Sequence, residues 1–370
     1  MTESIPKKDQ LYELIRANPF ISQQDLAASL GLSRSAVAGY IAGLIRERRL
    51  LGRAYVLPDR RPVVCIGAAN LDRKLRALGP LAMGSSNPAR QDESFGGVAR
   101  NIGENLARLG TPVALITAFG NDASGRSLQA HAEALGIDTS GTLRLEGVSS
   151  GTYTAVLDQH GEMTLALADM ALYDALTPDF LATRQLQRTG AALVVADLNL
   201  PQESVAALIQ DAARSAVPLV LVAVSQAKMA RLPPELSGVR LLILNAGELA
   251  TRTGRALTTA ADFGAACAEL QAQGARDIVV TRGAQGVYYT EGGGVHHLAA
   301  PAVDVVDVTG AGDAFAAAVC WSLQAGDADL ALACRRGLQL AALTLGSQQS
   351  VCPQLAPDLF DTSFTAISQD

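Results

Sequence analysis

The sequence predicts an α/β protein whose larger part is a doubly wound parallel sheet, preceded by a small basic helical domain. Short apolar runs typical of buried strands alternate with helical stretches, and this alternation is typical of a parallel sheet covered by helices on both faces. The runs occupy residues 113–117, 193–196, 219–224, 241–244 and 278–280. The charge changes along the chain as well. Residues 1–62 contain ten Lys or Arg and six Asp or Glu, a net charge of +4, whereas the whole chain carries −6.

Composition indicates a protein with a large buried core. The 370 residues are 49% hydrophobic, and α/β domains of about 300 residues are ordinary. The sequence has no run of about 18 apolar residues and no charged-then-apolar start, so we expect a cytoplasmic protein with no membrane partner. The five cysteines have no metal-ligand spacing, so we expect them to be reduced core residues.

The basic segment predicts a helix-turn-helix with a small wing. After a first helix, Ser22 stands where it can cap a second one. Residues 31–33, Gly-Leu-Ser, form the turn. A third helix runs from Arg34 to Arg49 with apolar residues on one face, and residues 50–57 can form a short hairpin.

This first domain, residues 1–58, resembles winged-helix transcriptional regulators, and the resemblance implies contact with double-stranded DNA. The third helix would enter the major groove. Base and phosphate contacts would then come from Ser33, Arg34, Ser35 and Arg46. Because one recognition helix reads only a short half-site, we expect a homodimer. The alternative is a domain that mediates dimerisation without binding DNA. Residues 59–62 form the predicted linker to the larger domain.

The chemistry of the larger domain is indicated by residues 307–315, Asp-Val-Thr-Gly-Ala-Gly-Asp-Ala-Phe, which lead into an apolar helix. Gly310, Ala311 and Gly312 carry little or no side chain, so their backbone N–H groups can approach an anion at the positive end of that helix. Asp313 lies beside them and can accept the proton of a substrate hydroxyl that attacks a γ-phosphate. The alternative, a helix N-terminus with small packing residues, leaves the two bracketing carboxylates unexplained.

The same string matches the second signature of the ribokinase-like (PfkB) family of sugar and nucleoside kinases. Residues 96–101, Gly-Gly-Val-Ala-Arg-Asn, resemble the first signature of that family. The resemblance covers residues 63–370 and implies that the substrate is bound by Gly96, Gly97 and Asn101. It also implies that Asp72, just past the first buried strand, holds sugar hydroxyls. Taken alone, the glycine pair is an ordinary turn and Asp72 is a solvated loop acid.

Two further segments resemble nucleotide-binding motifs of the family. Asn245 and Glu248 match its Asn-x-x-Glu motif, which implies that Glu248 orients Mg²⁺ through water. On its own the same pattern is a common helix cap. A second match, to the Thr-x-Gly-x-x-Gly segment at the phosphates of ATP, consists of Thr281, Gly283 and Gly286.

A potassium ion is another implication of the resemblance. In the members that need potassium, the ion lies at positions similar to Asp307, Gly346 and Ser350. Such an ion would fix the backbone that forms the anion pocket. The alternative is that Asp307 only caps the turn.

Two stretches, residues 71–95 and 150–170, interrupt the strand and helix alternation and indicate short strands. They resemble the β lid of the family, which closes over the sugar and excludes water.

The acceptor is indicated by a departure from the ribokinase pattern. Residues 98–100, Val-Ala-Arg, replace the Lys-Gly-Ala of ribokinase, and the segment resembles pseudouridine kinases. We therefore expect phosphorylation of the 5′-hydroxyl of pseudouridine by MgATP. The alternatives are another nucleoside or sugar, such as ribose, adenosine or a ketose phosphate, and a transcriptional regulator with a kinase-like sensor domain.

Overall fold

The computed structural model of the chain describes residues 6–18, 20–47, 49–50, 61–326 and 329–362. They belong to two units that divide between residues 59 and 60. Residues 51–57 of the predicted wing hairpin and residues 59 and 60 of the predicted linker lie outside the described residues.

The first unit consists of three helices, α1 (Lys7–Ala17), α2 (Gln23–Leu30) and α3 (Arg34–Arg46). Gly31 ends α2 in the left-handed conformation, with φ of 61°. Helices α2 and α3 then meet at an angle of 107°. This angle is that of a helix-turn-helix. The core that joins the helices consists of Leu11, Leu26, Leu30, Val37, Ile41 and Leu44.

The third helix is shorter than predicted, because it ends at Arg46 rather than at Arg49. The backbone N–H groups of Arg49 and Leu50 both donate to the carbonyl of Leu44, at 2.9 and 3.1 Å. An α-helical N–H group donates to the carbonyl four residues earlier, whereas these two groups donate to a carbonyl five and six residues earlier. The chain therefore leaves the helix axis before Arg49, whose guanidinium instead contacts Asp9 at 2.7 Å.

The second unit alternates strands and helices along the chain. Its strands are β1 (Val63–Ile66), β2 (Asn70–Ala77), β3 (Ala89–Gly96), β4 (Val113–Ile116), β5 (Ala118–Gly120), β6 (Leu143–Leu145), β7 (Thr152–Leu157), β8 (Met163–Asp169), β9 (Leu193–Asp197), β10 (Leu219–Val222), β11 (Val239–Asn245), β12 (Asp277–Thr281), β13 (Val287–Glu291) and β14 (Gly294–Leu298). Its helices are α4 (Val98–Arg108), α5 (Ala123–Ala134), α6 (Pro178–Ala182), α7 (Gln185–Thr189), α8 (Gln202–Arg214), α9 (Ala246–Thr253), α10 (Ala260–Ala272), α11 (Ala311–Ala325), α12 (Leu330–Leu345) and α13 (Leu359–Thr362).

The main sheet has the strand order β14-β13-β12-β11-β10-β9-β1-β4. The doubly wound architecture is confirmed, and the sheet is mixed rather than wholly parallel. From β4 to β12 the neighbouring strands are parallel, whereas β13 and β14 are antiparallel. The reason is the length of the connections. Only Arg282–Gly286 separates β12 from β13, and Gly292 and Gly293 alone join β13 to β14, too few residues for a crossover helix.

Helices cover both faces of the main sheet. Successive side chains of each strand point to opposite faces, so alternate residues of a strand belong to different cores. Val64 and Ile66 of β1 belong to the core on the face covered by α8, α9 and α10, and Val63 and Cys65 belong to the core on the face covered by α4, α11 and α12. All five cysteines are buried and free, as predicted. Within the described ranges, no single helix is long and apolar enough to cross a membrane. Only α2 and α3 taken together have the length and apolar composition of a membrane span, and the chain bends by 107° between them.

The two stretches that interrupted the sequence pattern form one four-stranded sheet with the order β3-β2-β7-β8. We call this sheet the lid. Strand β2 begins at Asn70, four residues after β1 ends. The lid therefore continues directly from the end of β1, the strand next to the edge strand β4 of the main sheet. The chain returns from β3 into α4 at Gly96 and Gly97.

Candidate active site

The predicted site residues of the second unit lie mainly where strands of the main sheet end and helices begin. Open α/β sheets bind ligands at this edge. Asn245 ends β11 and is paired in register with Thr281, which ends β12. Asp72 lies on the first strand of the lid, and Asp313 lies in the first turn of α11.

The N-terminus of α11 has the geometry of an anion site. Gly310 precedes the helix with φ of 81°, and no side chain caps the first amides. A Cβ atom at this position would overlap the carbonyl oxygen of Ser350, so only glycine fits. A Cβ atom at Gly312 would meet no atom within 4 Å. The amides of Gly310, Ala311 and Gly312 are therefore unobstructed by side chains at the positive end of a long helix.

The side chain of Asp313 is held in place by Asn101, a residue of the Gly-Gly-Val-Ala-Arg-Asn segment. The Nδ2 atom of Asn101 donates to Oδ2 of Asp313 at 2.7 Å. Burial and, to a lesser extent, the charges of Asp197 and Asp72 raise the pKa of Asp313 to about 7, against the lowering effect of the Asn101 hydrogen bond. A carboxylate with a pKa near neutrality is suited to take a proton from a hydroxyl and release it again.

Asp72 is a strand residue on the lid and is partly buried, so the interpretation as a solvated loop acid is wrong. Its Oδ1 accepts from Nδ2 of Asn70 at 2.6 Å. Burial raises its pKa to about 6. The glycine pair is also explained by close approach. A Cβ atom at Gly96 would overlap the carboxylate of Asp72, and one at Gly97, where φ is 101°, would lie 2.5 Å from the carbonyl oxygen of Ala68.

Sequence reasoning missed Asp197, which ends β9 and is only 1% exposed. Its Oδ2 accepts from the backbone N–H groups of Ala68 and Ala99, both at 2.9 Å, and Oδ1 accepts from Asn199 at 2.8 Å. Asp197 therefore ties the loop after β1 to the start of α4, which carries Asn101. The available signal was an aspartate directly after the apolar run at 193–196.

The Asn245 and Glu248 pair forms a complete capping box at the start of α9. Asn245 Oδ1 accepts from the Glu248 N–H at 2.9 Å, and Glu248 Oε2 accepts from the Asn245 N–H at 2.7 Å. Glu248 is 2% exposed, whereas Asn245 is exposed. Glu248 is therefore buried in the cap, and the exposed Asn245 is the member of the pair that a hydrated Mg²⁺ could reach, rather than Glu248 as the resemblance implies. Among the described residues, no group of three or more His, Cys, Asp or Glu could hold a metal by itself.

The glycine turn after β12 has a similar explanation. Gly283 has φ of 55° and open space at its Cβ position, and Gly286 has φ of 90°. A Cβ atom at Gly286 would overlap the carbonyl oxygen of Leu298. The turn is bounded by Thr281 and lies beside the end of β11, so it can approach the same ligand as Asn245.

Asp307 caps its turn. Its Oδ1 accepts from the N–H and the hydroxyl of Thr309 at 2.9 and 2.7 Å. Its Oδ2 pairs with the ammonium of Lys74 from β2, which also donates to Oγ1 of Thr309 at 3.3 Å. Burial raises the pKa of Asp307, but the hydrogen bonds from Lys74 and Thr309 outweigh it and lower the pKa. Lys74, which sequence reasoning missed, thus connects the lid to the segment before the anion pocket.

Beside these residues lies a cleft of about 1060 Å³ between the lid, α4, α5 and the segment 348–351. Its walls include Phe95, Lys74, Arg100, Glu104, His131 and Ser350. The rings of Phe95 and His131 are 4.6 Å apart. Burial lowers the pKa of His131, and the positive charge of Arg100 lowers it further. The cleft therefore offers aromatic faces together with charged and neutral hydrogen-bonding groups.

In the first unit, the four predicted DNA-contacting residues are all exposed. They are Ser33, Arg34, Ser35 and Arg46. Ser33 also caps α3, because its Oγ accepts from the Ala36 N–H at 3.2 Å. Within the described part of the chain, neither Arg34 nor Arg46 forms an ion pair.

Residues 60–355 match the family described as pfkB family carbohydrate kinase, and residues 10–47 match the family described as winged helix-turn-helix DNA-binding. An Escherichia coli K12 protein described as an uncharacterized sugar kinase, YeiI, is 33% identical over 95% of this chain and 97% of its own length. Pseudouridine kinase of the same organism is 35% identical over 70% of this chain and 83% of its own length. A solved structure of Arabidopsis thaliana ribokinase with ribose and ATP has a TM-score of 0.71 at 20% identity, covering 80% of this chain and 96% of that chain.

Proposed function

Because the chain belongs to the pfkB family of carbohydrate kinases, with an N-terminal winged helix-turn-helix, we propose that it transfers the γ-phosphoryl group of ATP to the 5′-hydroxyl of pseudouridine. As a member of that family, it is a phosphotransferase with an alcohol group as acceptor. The observation that carries the catalytic part is the 2.7 Å contact of Asn101 with Asp313, beside the uncapped amides at the start of α11.

The reaction follows from the positions of these groups. Asp313 accepts the proton as the acceptor O–H bond breaks, and the hydroxyl oxygen forms a bond to the γ-phosphorus. The bond between that phosphorus and the β,γ-bridging oxygen breaks, and ADP leaves with the electron pair. The amides of Gly310, Ala311 and Gly312 stabilise the negative charge on the transferred group.

ATP would lie along the ends of β11 and β12, with its phosphates against the turn that contains Thr281, Gly283 and Gly286. Mg²⁺, when bound, would neutralise charge on the phosphate oxygens. Asn245 would meet the hydrated ion, and Glu248 would keep the Asn245 turn in place. The exposed Asn245 and the open space at Gly283 support this placement.

Asp72, Gly96 and Gly97 would hold the ribose of the acceptor near Asp313. Its base would extend into the cleft toward Phe95 and His131. The aromatic faces of Phe95 and His131 in the cleft support a nucleoside over free ribose, because a base can stack on them. The E. coli pseudouridine kinase relative supports pseudouridine over other nucleosides. Another nucleoside or sugar, including adenosine or a ketose phosphate, is the second candidate.

The test is ATP consumption with a panel of nucleosides and sugars, read together with mass spectrometry of the product. We expect pseudouridine to give the highest kcat/KM and a 5′-monophosphate. A higher kcat/KM for another acceptor would replace pseudouridine by that compound. No phosphorylation of any acceptor would support the ligand-sensing regulator instead.

A potassium ion at Asp307, Gly346 and Ser350 is the less favoured of the two roles considered for this segment. Both oxygens of the Asp307 carboxylate already have partners, because Thr309 donates to Oδ1 and the ammonium of Lys74 donates to Oδ2. A cation at this position would have to compete with them. The observed contacts favour turn capping as the main role of Asp307.

We further propose that the first unit binds double-stranded DNA as part of a homodimer. The observation that favours it is the 107° turn from α2 to α3 with exposed Ser33, Arg34, Ser35 and Arg46 at the recognition helix. DNA binding that vanishes in the double variant Arg34→Ala and Arg46→Ala, while the protein stays folded, would support it. Dimerisation without DNA binding would favour the alternative role of the domain.

A further inference from the structure

A buried arginine lies directly behind the pair of Asn101 and Asp313. Arg100 is 4% exposed and precedes Asn101 on α4. Its Nη1 donates to Oδ1 of Asn101 at 2.8 Å and to the carbonyl of Phe95 at 3.0 Å. Its Nη2 donates to Glu104 and to Nδ1 of His131, the latter at 3.2 Å. The guanidinium is therefore fixed on both of its arms.

The contact to Asn101 decides which way the amide faces. A carboxamide has an acceptor end and a donor end, and its neighbours select between the two orientations. Arg100 can only donate, so it selects the orientation with Oδ1 toward itself. The Nδ2 end then points to Asp313, where it donates at 2.7 Å. In the opposite orientation Oδ1 would face the carboxylate of Asp313, and two acceptors would meet.

We propose that Arg100 is a positioning residue of the phosphoryl transfer, because it fixes the orientation of the Asn101 amide and through it the carboxylate of Asp313. This inference rests on the proposed kinase function. The alternative is that Arg100 only forms a buried i,i+4 ion pair with Glu104 on α4.

The surroundings of Arg100 support a positioning role. Glu104 is 3% exposed and accepts from both Arg100 and Arg108, the latter at 2.8 Å through Nε. The Phe95 ring lies 5.5 Å from the guanidinium carbon. Because both ionised groups are fully partnered, the guanidinium stays charged and in place despite its burial. A fixed donor can hold an amide orientation, whereas a mobile one cannot.

The charged groups that face Asp313 come from three elements. They are Asp72 of β2, Asp197 at the end of β9 and Arg100 of α4. The two aspartates raise the pKa of Asp313, whereas Arg100 and the Asn101 hydrogen bond lower it. Removing Arg100 removes a nearby positive charge and releases the amide that donates to Asp313. Both effects raise the pKa of Asp313, so the acidic limb of the pH profile should move to higher pH.

The experiment compares Arg100→Met and Arg100→Lys with Arg108→Met as the matched control. Arg108→Met removes the other arginine on Glu104 without touching Asn101. For the full chain with its best acceptor, we expect Arg100→Met to lower kcat at least tenfold, to leave the KM for ATP within twofold, and to shift the acidic limb upward by half a pH unit or more. Arg100→Lys should restore most of both losses, and Arg108→Met should leave the acidic limb in place.

A lowered kcat with an unshifted acidic limb in Arg100→Met would overturn the proposal and leave the ion pair as the only role. If Arg100→Met fails to fold, the same comparison is made with Arg100→Gln, which also removes the positive charge and must shift the limb upward. The ¹³C-carboxyl titration of Asp313, assigned by its loss in Asp313→Asn, gives the same information without turnover. An unchanged titration in Arg100→Met overturns the inference, whereas a wild type without kinase activity overturns only the proposed function.

Discussion

Replacing Asp313 by Asn is the most direct perturbation of the proposed chemistry. The substitution keeps the size of the side chain, and the new Oδ1 can still accept from Nδ2 of Asn101, the contact that is 2.7 Å long in the wild type. The fold should therefore persist while the base is lost. Removing a general base lowers the rate by about 10² to 10⁴, which corresponds to about 3 to 5 kcal/mol of transition-state stabilisation. We expect kcat to fall by this factor and nucleotide affinity to stay nearly unchanged.

The wild-type pH profile tests the same residue without a mutation. Asp313 acts as a base only when it is ionised, and its pKa is about 7. The ratio kcat/KM should therefore fall as pH drops below about 7, by about tenfold per pH unit once Asp313 is mostly protonated. Asp72, with a pKa of about 6, adds a second protonation at lower pH and makes the fall steeper.

The measurements are steady-state rates from pH 5.5 to 9, nucleotide binding by calorimetry and thermal unfolding of each variant. Asp179→Asn on α6 is the control, because it makes the same change at an exposed position. Retention of more than half the wild-type kcat by Asp313→Asn would refute the assignment. So would a profile for the wild type that is flat between pH 5.5 and 8.

Three other predictions address the remaining parts of the proposal. Asp72→Ala should raise the acceptor KM strongly and barely change the KM for ATP, since Asp72 lies on the lid; an unchanged acceptor KM in a substrate titration would remove Asp72 from the acceptor site. Rates should be equal in potassium and in tetramethylammonium at matched ionic strength if Asp307 only caps its turn, whereas a clear gain in potassium would indicate an ion there. Affinity for duplex DNA should fall as the salt concentration rises, and it should fall further in Arg34→Ala and Arg46→Ala. Residues 62–370 alone should keep kinase activity. A truncated protein that is folded but inactive would contradict the division of roles between the two units.

Much of the fold could be predicted because it follows from local patterns. Buried strands of a parallel sheet are short continuous apolar runs, and β1, β9 and β11 all have that form. The lid was recognisable as a break in the alternation of strand and helix. The antiparallel edge was harder to predict, because the direction of β13 and β14 depends on the few residues between the strands and not on the strands themselves.

The site was predictable where chemistry requires a rare pattern, as at Gly310 and Asp313. It was not predictable where one residue acts through contacts distant in sequence. Asp197 binds amides 129 and 98 residues away, and Lys74 meets Asp307 across 233 residues. A single aspartate or lysine carries no local sign of such partners. The two meanings of Asn245 and Glu248, cap and ligand, also could not be separated, because both use the same spacing.

The carbonyl of Ser350 against Gly310 has a consequence for protein synthesis. The anion pocket begins at residue 310, but its backbone packs on a segment made 40 residues later, and Asp313 takes its hydrogen bond from Asn101, 212 residues earlier. The last strand of the main sheet ends at Leu298, so all of its strands have been synthesised before the segment that packs on Gly310. A chain that has not yet reached residue 350 lacks this contact, so the turn at Gly310 is not yet packed. Phosphorylation activity would serve as a stringent reporter of complete folding.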